Sequence, residues 1–561
     1  MEGVVLPVGL ERFGEIRRDN RYYIDKTQFI KELLNGSFKV MLITRPRRFG
    51  KTLMMSMLAD FFDMSKDSRE IFAGLAISES RELCQEWMNQ WPVLFLTLKS
   101  VEGLQFSSAY AMLTALISDF CIANYYLLES QNINEYDREL FKRLIEKTAT
   151  EEEIKNSLYT LSRMMQQHYG KPVILLIDEY DVPLARANEN GYYSQMMEVI
   201  RSFIGKAMKS NPFLKFAVIT GCLRIAKESI FTGTNNFVSN SVSDVEFSQY
   251  VGFTQQEVLK LLQDTGFSEQ AEQMKRWYDG YLFGNTEIYC PWDVLNHVRR
   301  LQSNPKALPE NYWRNTSHNG IIRSFIDRTD LAVNDKFEIL LSGGYIQEPI
   351  SEDLTYDVLH ASESNLWSVL YLTGYLTRVN PENMKGEGLS ETGKTCLRIP
   401  NEEIKTIFAD TIAVWFGDTV KNMDRKSLFD AFWNGEEQNV TEMITDLLFD
   451  TISYYDYKED YYHAFLTGIF TGAGYGVESN HEYGLGRPDI VIRDRKHRRA
   501  MLIEVKHSTS EEQLQQDCEN ALAQIDTRQY AKQFLKGYQT VVCYGAAFFE
   551  KECLIRKEAC L

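Results

Sequence analysis

The chain has 561 residues, 44% of them hydrophobic and 25% charged, and a formal net charge of −17 at pH 7. At roughly 100–200 residues per domain this length predicts three or four domains with real cores, and the acidic balance excludes a surface that binds nucleic acid all over while leaving room for one basic groove. Nine scattered cysteines without a C-x-x-C pair point to buried thiols in a reducing compartment; without a leader-like N-terminus or a stretch of about 18 uninterrupted apolar residues, no membrane span and a cytoplasmic location are expected.

Residues 1 to about 38 lead up to a phosphate-binding loop. RYYIDKTQFIKELLNGS places Asp25 and Thr27 ahead of a short amphipathic helix ended by Gly36. Tyr22 and Tyr23 either stack near a nucleotide base or pack on a sheet edge. The apolar run 40–43 enters RPRRFGKT (45–52), and the helical LMMSMLADFF leaves it. Strand, tight loop and helix form the setting in which backbone N–H groups cradle phosphate. Lys51 would reach the terminal phosphates and Thr52 would offer a hydroxyl to Mg2+. Arg45, Arg48, Phe49 and Gly50 complete the candidate nucleotide cradle. Arg45 stands where G-x-x-x-x-G-K-[ST] has its first glycine, so the turn there does without a free positive φ.

WPVLFLTLKS supplies a second buried strand at 93–96, and 103–168 reads as helical. KPVILLIDEYDVPL runs five apolar residues, 173–177, into Asp178 and Glu179. In a parallel sheet such a strand delivers its C-terminal carboxylates beside the loop. Asp178 would hold Mg2+ and Glu179 would polarise an attacking water, with Asp181 a third acid in the turn; an N-cap acid pair is the plainer alternative. FLKFAVITGCLRI adds a fourth strand, 214–219, whose terminal Thr220 would touch the γ-phosphate or the water. Arg224 either stabilises charge on the leaving phosphates, in cis or across a subunit contact, or forms a surface salt bridge.

RYYIDKT, RPRRFGKT, LLIDEYD and ITGCLRIAKESIF, then RWYDGYLFG with IYCPWDVLN and NYWRNTS, resemble the AAA-ATPase-like family found beside or fused to PD-(D/E)xK nuclease domains. The resemblance covers roughly residues 1–320, and the family's loop also begins with Arg. It implies an additional-strand P-loop fold with a parallel sheet, ATP at Gly50, Lys51 and Thr52, and Asp178 and Glu179 as metal and water residues.

The expected divisions are an ATPase domain at 1–245, a helical lid at 246–320, a mainly helical connector at 321–450 and a nuclease-like domain at 451–561. Thr254 and Glu257 form a capping-box pattern at the start of the lid. Trp277, Tyr278, Tyr281, Trp292 and Trp313 read as an aromatic core rather than a partner surface. PENMKGEGLSETGKT (381–395) reads as an exposed flexible segment, and its GKT lacks the strand-before, helix-after context.

In the last stretch, DYYHAFLTGIF reads as a helix and Pro488-Asp489 opens an apolar strand, 490–492. After the charged turn RDRKHRR, a second strand, 501–503, ends in Glu504-Val505-Lys506. Strand alternation puts Glu504 and Lys506 on one face, and a hairpin brings Asp489 within reach of Glu504. Two carboxylates can hold a divalent metal, and a lysine can orient or help deprotonate a water for attack on a phosphodiester. Alone, E-x-K on a strand is an ordinary salt bridge. With GRPD in front at D-x14-E-x-K spacing, the stretch from about 455 to 561 resembles the PD-(D/E)xK nuclease superfamily.

That resemblance implies an α/β domain in which Asp489 and Glu504 hold metal and Lys506 is catalytic. It also implies an upstream acid, Glu478 from the first strand or His463 from the preceding helix. Gln524 and Tyr530 resemble the Gln/Tyr helix of related nucleases at wider spacing than Q-x-x-x-Y. From Gly486 onward thirteen Lys and Arg stand against eleven Asp and Glu. Arg493, Arg495, Lys496, Arg498 and Arg499 in one turn suit phosphate contacts or a solvated hairpin tip. The expectation is an ATP- and Mg2+-dependent protein with nucleic acid, DNA first, at its C-terminal domain, and a homo-oligomer if Arg224 acts across subunits. The alternative is a nucleotide-controlled switch that binds nucleic acid or a protein partner without cleavage.

Overall fold

The computed structural model describes residues 4–225, 230, 237–313, 336–337, 339–354, 356, 362–379, 393–419, 425–451, 459–472, 475–479, 488–534 and 537–559. The chain divides into two compact units, Met1–Trp313 with Gln347–Glu402, and Arg314–Ile346 with Glu403–Leu561. The stretch expected as a connector is therefore shared between them. Most of the segment expected to be flexible, 381–392, lies outside the described residues.

The first unit is built on a parallel sheet in the order β2-β3-β4-β1-β5. Its strands are β1 Val40–Thr44, β2 Val93–Thr97, β3 Val173–Asp178, β4 Leu214–Gly221 and β5 Phe237–Asn240. Every residue of β1 and β3 is buried, as continuous Val/Ile/Leu runs require in a sheet covered on both faces. β4 lies between the loop strand and the acidic strand, with Thr44 opposite Gly221 and Ile177 opposite Ile219. That inserted strand brings the C-terminal ends of β1, β3 and β4 to one level, where an open α/β sheet binds its ligands.

β6 Phe253–Thr254, β7 Tyr281–Phe283 and β8 Thr286–Tyr289 form a small antiparallel sheet, β6-β8-β7, beside helices Gln255–Thr265, Ala271–Tyr278 and Pro291–Ser303. The segment expected as a helical lid thus holds strands as well as helices, and YDGYLF is a helix end followed by a strand. Gly280 makes this turn at φ +94°, where an added Cβ would lie 2.1 Å from the Pro400 carbonyl oxygen. The lid core comprises Val258, Leu261, Leu262, Met274, Tyr278, Tyr289, Val294 and Val298, joined by Leu6 from the N-terminus. β9 Ile346–Glu348, β10 Thr377–Arg378 and β11 Thr395–Arg398 form a further sheet, ordered β10-β11-β9.

Among the described residues one helix, Phe106–Ala123, is long and apolar enough to cross a membrane by length and composition, although the sequence contains no uninterrupted apolar run of that length. One face of it, carrying Ala109, Leu113, Ile117 and Cys121, is buried in the first unit.

The second unit holds a five-stranded sheet in chain order, β12 Gly476–Ser479, β13 Ile490–Asp494, β14 Arg499–His507, β15 Thr540–Phe549 and β16 Glu552–Ala559. Only β14 and β15 are parallel. Helix Leu514–Arg528 covers one face, where Ile525 meets Val491, Leu502 and Cys543. Helices Arg425–Asn434 and Glu459–Gly472 cover the other: the Tyr544 hydroxyl donates to Phe432 O, and Tyr462 stacks on Phe548 with ring centroids 4.4 Å apart. Among the described residues seven cysteines are free thiols and Cys543 on β15 is disulfide-bonded, which departs from the expectation of thiols throughout.

Candidate functional sites

The phosphate loop begins where β1 ends. Arg48 and Gly50 take positive φ, +74° and +95°, and the helix Lys51–Phe62 starts directly after them. A Cβ on Gly50 would meet nothing within 4 Å, so that glycine is required by conformation rather than by space. Lys51 is buried, donating to the carbonyls of Arg45 and Pro46 at 3.1 Å each and pairing with Glu179 at 3.2 Å. Burial opposes its charge, yet Cys222, Glu179, Asp181 and Asp178 outweigh this and hold the ammonium above its usual range.

Asp178 is the hub. Thr52 donates to one of its oxygens at 2.9 Å and Thr97 to the same oxygen at 3.2 Å; Thr220 donates to the other at 2.6 Å. Loop, acidic strand and inserted strand thus meet at one fully buried carboxylate. Burial, reinforced by Glu179, raises its pKa against the hydrogen bonds from Thr220 and Thr52. Glu179 takes φ +54°, and its second carboxylate oxygen is buried without a hydrogen-bond donor.

The other loop residues do different work from that expected. Arg45 is fully buried: its guanidinium donates to Thr44 O at 2.8 Å and to the Asn240 side-chain oxygen at 2.7 Å. Burial lowers its pKa to about 10. Its contacts make it an interior post between β1 and β5. Arg48 lies over the Trp292 ring at 4.3 Å, and Phe49 packs edge-on against Tyr281 at 4.9 Å, so both fasten the loop to the lid.

Arg224 pairs with Asp353 at 3.2 Å, the contact that the salt-bridge alternative expects. Asp181 proves to be a brace: one oxygen accepts from the Cys222 and Leu223 N–H groups at 3.0 and 3.1 Å and from the Tyr356 hydroxyl at 3.2 Å. Sequence reading passed over Arg47, Thr97, Asn240 and Tyr356. Of these, only Thr97, a polar residue closing an apolar strand, carried a signal.

In the second unit the hairpin forms as expected. Ile490 faces Ile503, so Asp489 and Glu504 come opposite each other. The Asp489 N–H donates to Glu504 Oε2 at 3.3 Å, and the Val505 N–H donates to Asp489 Oδ2 at 2.8 Å. Glu504 is fully buried, and the Gln524 amide donates to its other oxygen. Burial, with Asp489 adding to it, pushes the Glu504 carboxyl up to about 8. Lys506 Nζ lies 3.9 Å from Glu504 and 3.5 Å from Glu459.

Glu459, at the start of the helix Glu459–Gly472, is the acid that sequence reading missed; the helix was legible but not which of its residues faces the centre. His463 on the same helix bonds the Asp489 carbonyl at 2.8 Å and so positions the strand. Glu478, opposite Val491 and so on the same face of the sheet as Asp489, pairs with Arg493 at 2.9 Å. Gln524 and Tyr530 do come together: Gln529 takes φ +57° as the helix ends and a 3-10 turn follows, which absorbs the wide spacing. Tyr530 is buried beside Gln524 and feels the charges of Glu504 and Asp489. Of the basic cluster, Arg493 is paired with Glu478 and Arg499 with Asp494, while Arg495, Lys496 and Arg498 are exposed at the hairpin tip, at the end of the strands away from Glu504.

Residues 7–231 match the family model described as a predicted AAA-ATPase, and residues 457–558 match that of the PD-(D/E)XK nuclease superfamily. An uncharacterized protein in the vnfD 5' region of Azotobacter chroococcum mcd 1 is 23% identical over 498 residues, covering 87% of this chain and 86% of the relative. With the β2-β3-β4-β1-β5 sheet behind the loop and the Asp489–Glu504 hairpin in the second unit, the chain joins an AAA-ATPase-like domain to a domain of the PD-(D/E)xK nuclease superfamily.

Proposed function

We propose that this protein binds and hydrolyses ATP at loop 45–52, and that nucleotide state governs metal-dependent cleavage of nucleic acid, DNA first, at Asp489, Glu504 and Lys506. The observation that carries the reading is Asp178 held between Thr52 and Thr220, which makes one site of three strand ends. Lys51 rests on two backbone carbonyls and Glu179, contacts that phosphate oxygens would replace. Glu179, released from Lys51, is then placed to take a proton from water.

The donor sets suit Mg2+. Thr52 and Asp178 offer a hydroxyl and a carboxylate at the loop, and a buried Glu504 repelled by Asp489 gains from a divalent charge between them. At the second centre such an ion would supply positive charge to the phosphoryl oxygens and acidify a water. Lys506 holds its ammonium beside Glu504, where it orients that water.

The second reading is binding without cleavage.

One assay separates the two. The full chain is mixed with ATP, Mg2+ or Mn2+, and both DNA and RNA. Glu504→Ala should abolish cleavage and keep ATP turnover, and Lys51→Ala should abolish turnover. A wild type that binds nucleic acid with steep salt dependence but never cuts it gives the second reading. One that does neither sinks both. Mass measured with and without ATP tests self-association.

A further inference from the structure

The loop holds three arginines, and two have fixed work: Arg45 on Asn240 and Arg48 on Trp292. Arg47 is half-buried and makes no hydrogen bond, ion pair or ring contact among the described residues. The groups whose charge it feels are Cys222, just past β4, Tyr356 from the 347–402 stretch, and Asp181 and Glu179, just past β3. Burial opposes the Arg47 charge, but these neighbours outweigh it and hold the guanidinium above its usual range.

The carboxylates nearby already have nearer partners. Glu179 meets Lys51, and Asp181 takes two backbone N–H groups and the Tyr356 hydroxyl. Among the described residues the five N–H donors of Arg47 therefore meet no protein acceptor, in a site whose lysine and glutamate the ATP reading assigns to the terminal phosphate. A planar guanidinium is the side chain best matched to phosphate oxygens.

We propose that Arg47 is the arginine that contacts the terminal phosphate of ATP bound in this loop, acting within its own chain, and that Arg224 is not. The inference rests on the ATP reading above. In hydrolysis the water oxygen forms a bond to the γ-phosphorus as the bond to the β–γ bridging oxygen breaks. The electron pair leaves with ADP, and the proton of the water passes to Glu179. Arg47 compensates the charge that develops on the transferring and leaving oxygens.

The test uses the purified full chain and four readouts: thermal stability, ADP affinity, ATP turnover, and trapping of ADP with aluminium fluoride. Arg47→Ala is expected to keep its melting temperature and ADP affinity while turnover falls about 10³-fold or more, the scale of such arginines, and trapping is lost. Arg47→Gln, which keeps a long polar side chain, is read the same way should Arg47→Ala not fold. Arg224→Ala should cost at least about tenfold less turnover than Arg47→Ala.

If Arg47→Ala and Arg47→Gln turn over and trap like wild type while Lys51→Ala loses nucleotide binding, the arginine assignment is overturned and the ATP reading stands. A wild type that binds no ATP overturns both. Turnover per chain that vanishes on dilution and returns on adding the Lys51→Ala chain overturns action within one chain.

Discussion

Asn240 gives Arg45 what water gives an exposed arginine, an oxygen for its donors: its side-chain oxygen accepts from Nη2, while the Thr44 and Asn240 carbonyls accept from Nη1. Asn240→Ala removes that side-chain acceptor and keeps the two carbonyls, so it should cost about 1.5–3 kcal/mol, the worth of one hydrogen bond to a buried charge, read as a shifted urea midpoint of the first unit. Glu504 makes a pH prediction. Its folded pKa, about 8, is raised, so its contribution to stability is full below the ordinary carboxylate range and is lost as pH rises through 8. Metal-free Glu504→Gln should melt higher than wild type at pH 9 and lack this slope, and wild-type Mg2+ affinity should be weaker at pH 6 than at pH 9. His297 runs the other way. It is buried between Tyr278 and Tyr312 with neither ring nitrogen bonded, and burial lowers its pKa to about 4. Stability present above pH 6.5 is lost as pH falls through 4, a loss on the order of 3 kcal/mol that His297→Phe should remove from a melting-versus-pH series. At this scale the sequence showed which residues a motif gathers, such as Lys51, Asp178 and Glu504. It concealed Arg47, Asn240, Tyr356 and Glu459, whose surroundings depend on neighbours far away in the chain.

Elements follow the same division. β1, β3 and β4 were legible because burial on both faces demands unbroken apolar runs, and β13–β14 because two such runs flank a charged turn. β5 was not: Phe237–Asn240 reads FVSN, and only its pairing with β1 makes it a strand. The lid strands β7 and β8 are three and four residues long, too short for any periodicity to show. The capping box at Thr254 formed as its pattern implied, with the Thr254 N–H donating to Glu257 at 2.7 Å. Gly280 sets the turn into β7, and Gly280→Ala meets both a positive φ and the Pro400 carbonyl oxygen at 2.1 Å. That variant should lose about 2 kcal/mol or more, seen as a lower melting temperature, with the lid's tryptophan fluorescence changed before the rest of the chain unfolds. At the far edge of the second sheet, Thr441 bonds both the N–H and the carbonyl of Ile555, so a helix side chain covers the exposed edge of β16.

At the scale of the whole molecule, two units with their own sheets predict two calorimetric transitions. Saturating ATP, at 100 times its Kd, should stabilise one of them by about 2.7 kcal/mol and leave the other in place. Domain content was legible from two motif sets, but not the sharing of 347–402 with the first unit, because no motif lies in that stretch and packing alone assigns it. The Arg45–Asn240 contact spans 195 residues of sequence, and this has a practical consequence. During synthesis the loop is not fully supported until β5 has left the ribosome. A fragment trimmed at residue 231, where the family match stops, would keep every motif residue from Arg45 to Arg224 and still lack the partner of Arg45. Such a fragment should express poorly and bind no ATP, whereas the whole first unit should express well and bind ATP.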